Sequence, residues 1–451
     1  MTASNTKLNG FIDRAGLSNK ELARRVRAAA YACGQLHIQP DGTTVRRWKE
    51  GHQPRPPVPD LIADVLSSAL GYRVTTYDIG CGEGSTAERT LTYSQEFTVT
   101  VEAVADLGRA DVERRNFLAV APFAAVAAVG PSRDWLLSTL DGQPAPGARV
   151  RLEDVTSVRN VFAQFQRVDV MQGGGAGRHV LARYMNDYVY PLLRRTHAED
   201  VRRALCEATA EQTYLLGWMA YDDGEHGTAQ RYLIQSLRLA EESRNTALGA
   251  HVLAGMADQA TLLGNPAEGR SLAQAGRHGL AKASSPACLA DLWCLEARAL
   301  AQLGQKRAAR HAVAESERSF ERVRPEKEQE WAQFIDVAYL HGEHANTYRD
   351  LGDPAQAEAH ARESIRAAKS QKRARRGAMS QAALAAAHVQ RRDLEAAHAA
   401  GVRTIRLAQR VKSSRCVEAV HDLSRRMAPY GSNRLVADFN ERARELTGSA
   451  A

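Results

Sequence analysis

From about residue 201 to 447, apolar residues recur every three to four positions, broken only by short clusters of Gly, Asp and Pro. That spacing puts one stripe of each segment against a neighbour, and predicts a run of amphipathic helices joined by tight turns. The first 80 residues show the same period in shorter stretches: Ser18–Val26, Thr43–Gly51 and Leu61–Gly71. Residues 81–150 read as a connector, with a Gly-rich opening, a short apolar segment and a Pro/Gly run at Gly142–Gly147. Residues 151–204 are helical in pattern, interrupted by Gly173-Gly174-Gly175 and Gly177. Strand signals are nearly absent. The expected fold is all-α, with a small helical domain over 1–80 and a helical repeat domain over 205–447.

The long block repeats itself. Turn positions fall at Gly224, Gly264, Gly304, Gly352 and Arg392, at spacings of 40, 40, 48 and 40 residues. Seven residues before each turn stands a small residue: Gly217, Ala257, Ala297, Ala345 and Ala385. Five after it come Ala229, Gly269, Ala309, Ala357 and Ala397, and twelve after it Ser236, Gly276, Ser316, Ser364 and Thr404. Antiparallel helices approach tightly only where the crossing points carry small side chains, and the turn favours a residue that tolerates positive φ. The pattern resembles tetratricopeptide repeats, as in Asp350-Leu351-Gly352-Asp353-Pro354-Ala355-Gln356-Ala357, over roughly residues 205–410 with a further helix pair to about 446. Its period of 40 departs from the family's 34, so the helices or the turns between repeats are longer. The resemblance implies an α-solenoid with a concave inner surface. Projected onto it, the inner helices present Tyr214, Trp218, Tyr221, His251, Asp258, Asp291, Arg298, Tyr339, Asn346 and Arg349. Aromatic rings, an amide and both signs of charge suit a peptide, small-molecule or protein effector.

At the N-terminus, Ser18 with Glu21 three residues on forms a capping-box signature. Asp41 or Thr43 can cap a short helix that ends at Gly51, in which Val45 and Trp48 share one face. Thr43, Thr44, Arg46, Arg47 and Lys49 then project outward. A helix fits the major groove, where Arg pairs with guanine and Thr meets a thymine methyl. Lys49, Arg55 and the caps at Ser18 and Thr43 suit phosphates, and Asn19 and Lys20 beside Ser18 are further DNA-binding candidates. The stretches LSNKELARRV, TTVRRWKEG and LIADVLSSALG resemble the repressor-type (XRE-like) helix-turn-helix domain, which makes Thr43–Lys49 the recognition helix. The distance from Leu22-Ala23 to Trp48 is about ten residues longer than that family shows. Either the second helix runs on through Ala28–Cys33 or a wing-like loop is inserted at Gly34–Pro40. Joined to tetratricopeptide-like repeats, such a domain resembles actinobacterial transcriptional regulators and, more loosely, peptide-sensing quorum regulators. The resemblance implies a homodimer that binds double-stranded DNA, in the cytoplasm at the nucleoid, under the control of an effector. The alternative is a repeat scaffold for protein interactions without specific DNA binding.

Composition changes this picture little. The chain has 451 residues, 44% hydrophobic and 25% charged, and a formal net charge of +8. Residues 1–78 hold eleven Lys/Arg against seven Asp/Glu, half of that excess, which points to the N-terminus as the nucleic-acid surface. Six scattered cysteines without a CxxC pair suggest reduced thiols. The N-terminus is polar, without a signal-peptide pattern, and no membrane partner is expected. Arg114-Arg115 followed by apolar residues to Val129 imitates an export signal, but the run is broken by Pro122. Gly173–Arg178 lacks the Gly-Lys-Ser/Thr ending of a phosphate loop and reads as a flexible break. Lys372–Arg376 reads as a solvated helix face. His341 and His344, beside Glu343, have metal-pair spacing but read as surface or inter-repeat residues. No nucleophile–base pair stands out, so no catalytic residue, cofactor or metal is expected.

Overall fold

The computed structural model describes residues 4–113 and 152–448, apart from 33–34, 36, 56, 71–73, 75, 77–78, 82–89, 92, 95, 196 and 281–284. The described residues are helical, with turns between, and divide into two compact units, Met1–Thr92 and Tyr93–Ala451. The Arg114–Val129 segment lies outside the described residues.

Among the described residues the first unit is a bundle of four helices. Asn5 opens α1 (Thr6–Arg14), its side-chain oxygen accepting the Leu8 N–H at 3.0 Å. Ser18 opens α2 (Asn19–Ala32) by accepting the Glu21 N–H at 3.2 Å. The expected box is half made, because Glu21 turns to Arg24 and Arg25 instead. Asp41, not Thr43, opens α3 (Gly42–Lys49): its carboxylate accepts the Thr44 N–H at 2.7 Å. The bundle closes with α4 (Val58–Leu70). Leu8, Ile12, Leu22, Val26, Val45, Trp48, Ile62 and Leu66 form its core. Each such side chain contributes about 1.5–3 kcal/mol by leaving water. The extra residues between Leu22 and Trp48 are spent mostly on helix, since α2 runs on to Ala32. Beyond it the chain returns to the core at Ile38, and Arg27 donates to the Pro40 carbonyl at 2.6 Å.

The second unit opens with α5 (Phe97–Glu113), α6 (Leu152–Gln172) and α7 (Arg178–Tyr184), the last continuing through a π-helical turn at Met185–Val189 to Leu193. Five helix pairs follow: α8 (Glu199–Asp222) with α9 (His226–Ser243), α10 (Thr246–Leu262) with α11 (Pro266–Leu280), α12 (Pro286–Gln302) with α13 (Lys306–Phe320), α14 (Val337–Asp350) with α15 (Pro354–Ser370), and α16 (Ala374–Gln390) with α17 (Leu394–Ala408). A last pair, α18 (Ser414–Met427) and α19 (Arg434–Gly448), closes the row. The packing is regular and solenoid-like, each pair stacked on the next.

All five expected turn positions have positive φ, from 61° at Arg392 to 82° at Gly224. All fifteen small positions are buried. The reason is visible at the third of them. Ser236, Ser316 and Ser364 each donate to the carbonyl 26 residues earlier, on Ala210, Ala290 and Ala338, at 2.8, 2.7 and 2.5 Å. At Gly276 the corresponding carbonyl, of Ala250, would lie 3.2 Å from an added Cβ. The helices of a pair thus meet backbone to side-chain root, and a larger residue has nowhere to go.

The one stretched interval, 48 residues, is an insertion between α13 and α14. It holds two short 3-10 turns, Pro325–Lys327 and Glu330–Ala332. α13 and α14 consequently pack less closely than the other helices that link successive pairs.

Gly173–Gly177 is not a flexible break. Gly174 donates its N–H to the buried Asp222 carboxylate at 2.9 Å, and an added Cβ there would meet the Met219 carbonyl at 2.5 Å. The Gln172 carbonyl accepts the Lys412 N–H at 2.8 Å. The glycines are there for close backbone approach, and they seat α6 against both α8 and α16. α5 rests on α9, with Tyr93 bonded to Glu241 and Arg194 forked onto Glu102 at 3.0 Å. The described cysteines, Cys81, Cys206, Cys288, Cys294 and Cys416, are free and buried. Among the described residues no helix is long and apolar enough to cross a membrane.

Candidate ligand cavity and exposed basic helix

Between α6 and the inner helices lies a cleft lined by aromatic and charged side chains. α6 supplies Phe162, Gln166, Asp169 and Val170, and α8 supplies Tyr214, Leu215 and Trp218. His251 comes from α10, Tyr339 from α14, and Trp331 and Phe334 from the insertion. Arg375, Arg376 and Met379 of α16, with Arg373 and Arg415, complete the wall. The rings form a continuous set: Tyr214 sits 4.2 Å from His251, which stacks on Trp331 at 4.7 Å, while Phe334 meets Tyr339 edge-on at 5.2 Å.

The charges behind the rings are paired. Arg375 forks onto Asp169 and reaches Asp222 at 2.7 Å. Arg376 and Arg298 clasp Glu343 at 2.8 and 2.9 Å. Arg415 meets Asp258 at 3.3 Å and lies over the rings of Tyr221 and Trp218. Burial opposes ionisation of Glu343, but Arg298 and Arg376 hold its carboxyl at about 2. Asp222, despite its burial, is likewise held below the usual range by Arg375 and Arg415. Burial pushes Asp291 up to about 7; it accepts the Tyr339 hydroxyl at 2.8 Å. Lys372–Arg376 is therefore no solvated face: Arg373, Arg375 and Arg376 turn inward to Asp336, Asp169, Asp222 and Glu343.

Two wall residues lack partners. His251 is buried with neither ring nitrogen hydrogen-bonded, and the buried Trp331 indole N–H is also unmatched. Burial holds His251 neutral, down to about 3. Such groups cost about 1–3 kcal/mol each while unsatisfied.

Of the ten groove residues expected from the repeat, Tyr214, Trp218, His251 and Tyr339 line the cleft. Tyr221, Asp258, Asp291 and Arg298 stand one layer behind, bonded to one another or to the wall. Asn346 and Arg349 bond to each other farther along α14, away from the lining. Trp331, Phe334 and the α6 residues were missed by projecting a regular repeat. The signal for the insertion was present in the interval of 48.

In the first unit, Val45 and Trp48 are buried while Arg46 and Arg47 face water. Arg46 has only a loose, exposed contact with Glu50 at 3.6 Å. Thr43, Ser18, Lys20 and Arg55 are exposed, and Asn19 and Lys49 half-buried. The starts of α2 and α3 adjoin: an added Cβ on Gly42 would lie 3.2 Å from Lys20 Cγ. Thr44 is committed to the cap, its hydroxyl 2.7 Å from the Asp41 carboxylate.

Residues 8–82 match the SP15 N-terminal domain family, so the four-helix bundle is similar to that domain. No curated protein matches the chain.

Proposed function

We infer that the second unit is a tetratricopeptide-like interaction module that takes a peptide segment into the aromatic cleft. The unmatched polar atoms of His251 and Trp331 carry this reading. A neutral imidazole offers one donor and one acceptor, and the indole a donor. A peptide group offers the complement of both, and the surrounding rings accept an apolar side chain. The paired arginines are pre-organised by their carboxylates and keep the wall rigid, which lowers the ordering cost of binding. Selection of a random peptide library on the full chain tests this. Enriched peptides are expected to bind His251→Phe at least about 10-fold more weakly, the loss of one well-placed hydrogen bond. Enrichment that ignores both His251→Phe and Trp331→Phe rejects the cleft as the site.

A second reading concerns the bundle, and the open outer face of α3 favours it. Here α3 serves as the recognition helix of a helix-turn-helix domain, with Arg46 and Arg47 toward base edges and Lys20, Lys49 and Arg55 toward phosphates. The chain would then be a DNA-binding regulator, dimeric on a two-fold site, with the cleft as its effector site. Thr44, spent on the cap, is withdrawn from base contact in this reading. Selection of DNA sites from a random pool, followed by Arg46→Ala, separates it from the scaffold alone. A reader loses about 1–3 kcal/mol of discrimination at one base pair; a scaffold enriches no site.

A further inference from the structure

We propose that Glu317, His344 and His360 form a binding site for a transition-metal dication of the Zn²⁺ class. The three lie on α13, α14 and α15, at the junction the insertion has loosened. Their donor atoms fall within 4.8 Å of one another. His344 Nδ1 is 3.9 Å and His360 Nε2 4.0 Å from the same Glu317 oxygen.

Hydrogen bonding fixes the free nitrogen of His344. Ser316 gives its hydroxyl proton to the Ala290 carbonyl, so at 3.1 Å its oxygen must accept from His344 Nε2–H. His344 Nδ1 is therefore a bare lone pair. It is buried without any partner and turned toward a carboxylate, two acceptors face to face. A cation between them resolves that opposition. His360 is held from behind in the same manner: its Nδ1 is 2.9 Å from His341 Nδ1, and Tyr348 stacks on its ring at 5.3 Å. His360 Nε2 is the free ligand in the tautomer whose Nδ1–H donates to His341. Ser316 and His341 are thus the outer partners that metal-binding imidazoles use to fix ring and tautomer.

Two imidazoles and one carboxylate suit Zn²⁺ or Co²⁺ rather than Ca²⁺ or Mg²⁺, and leave a fourth position open. Tetrahedral bonds of about 2.0–2.1 Å set the donors roughly 3.3 Å apart. Rotation of Glu317, whose side chain is 48% exposed, shortens both carboxylate distances, and the two imidazole donors, within 4.8 Å of each other, close the remainder by small ring movements. Glu343, next to His344 in sequence, takes no part, being held by Arg298 and Arg376. The ion would cross-link α13 of the third pair to α14 and α15 of the fourth, where direct packing of α13 on α14 is slight.

Zn²⁺ titration of the full chain against a chromogenic chelator, with Co²⁺ as a visible-absorbing probe, tests this. One equivalent is expected to bind and to raise Tm. Glu317→Gln, at a half-exposed residue, and His360→Asn, at a largely buried one, should each weaken binding at least about 10-fold and abolish the Tm rise. His278→Asn, on the exposed face of α11, should change neither. Binding unaffected by Glu317→Gln and His360→Asn, or no binding at all, overturns the assignment.

Discussion

The exposed arginines of the bundle and the buried arginines of the repeat unit do opposite work. In the bundle, the side chains of Arg24 and Arg46 are 63% and 66% exposed, and their partners are neighbours on the same helix. In the repeat unit, Arg298, Arg375 and Arg415 are nearly sealed, and each binds a carboxylate from another helix. A solvated cation contributes little to folding and remains available to a partner. A buried one is committed: removing either member strands a charge in the protein. The repeat unit therefore uses arginine in two ways: Arg318 and Arg366 stay on exposed helix faces as in the bundle, while Arg298, Arg375 and Arg415 are internal braces.

The sharpest way to break that comparison is to remove one arginine of each kind. Arg375→Met leaves Asp169 and Asp222 buried without their shared partner, and should cost about 3–5 kcal/mol in urea unfolding. Arg46→Met should stay within about 0.5 kcal/mol. Equal effects would mean that the buried carboxylates take up protons at no cost, and the brace would not exist.

Glycine separates the units in the same manner. Gly276→Ala drives a Cβ to 2.6 Å from Leu292 Cδ2 and 3.2 Å from the Ala250 carbonyl. The leucine can turn but the carbonyl cannot, so a loss of about 1–3 kcal/mol is expected. Gly10, in α1, would meet nothing within 4 Å, and Gly10→Ala should gain about 0.5–1 kcal/mol from helix propensity alone. Paired denaturant curves that move in the same direction would contradict this account of the repeat.

The helical repeat was legible because its constraint is local and periodic. A small residue must stand wherever one helix crosses its pair-mate, and Ser236, Ser316 and Ser364 keep that register to the residue. The inward face of α3 was equally readable from the i, i+3 spacing of Val45 and Trp48. The cleft was only half readable. Trp331, Phe334 and the residues of α6 reach it from outside the repeat, and no periodicity reports a segment that folds across a groove. Arg373–Arg376 misled for a related reason: a basic run looks solvated until Asp169, 206 residues from Arg375, is brought beside it.

His251 sharpens the contrast between buried and solvated polarity. Its folded value, about 3, lies below the ordinary 6.5 because burial disfavours the imidazolium. The stability linked to it is present in full above pH 6.5 and is lost as pH falls toward 3, at about 1.4 kcal/mol per pH unit. His251→Phe keeps the ring stacked on Trp331 and removes the proton. Thermal unfolding of variant and parent should coincide in pH trend above 7. By pH 5.5 the variant should have gained about 1.4 kcal/mol relative to the parent. Parallel curves throughout would mean that water reaches the ring.

The smallest effect tests an arginine held by neither kind of pairing among the described ion pairs. Arg392 is one of the exposed arginines of the repeat unit. It stands where the other four turns have glycine, at φ 61°. An L-residue there is strained by roughly 1–2 kcal/mol. Arg392→Gly removes the strain but frees the unfolded chain, which takes back about 0.4–1 kcal/mol. The net expectation is a gain near 0.5 kcal/mol, read as a small rise in the urea midpoint with unchanged slope. A loss instead would show that Arg392 holds a contact that matters. It would then belong with Arg375 among the braces, and exposure alone would no longer distinguish the two uses of arginine.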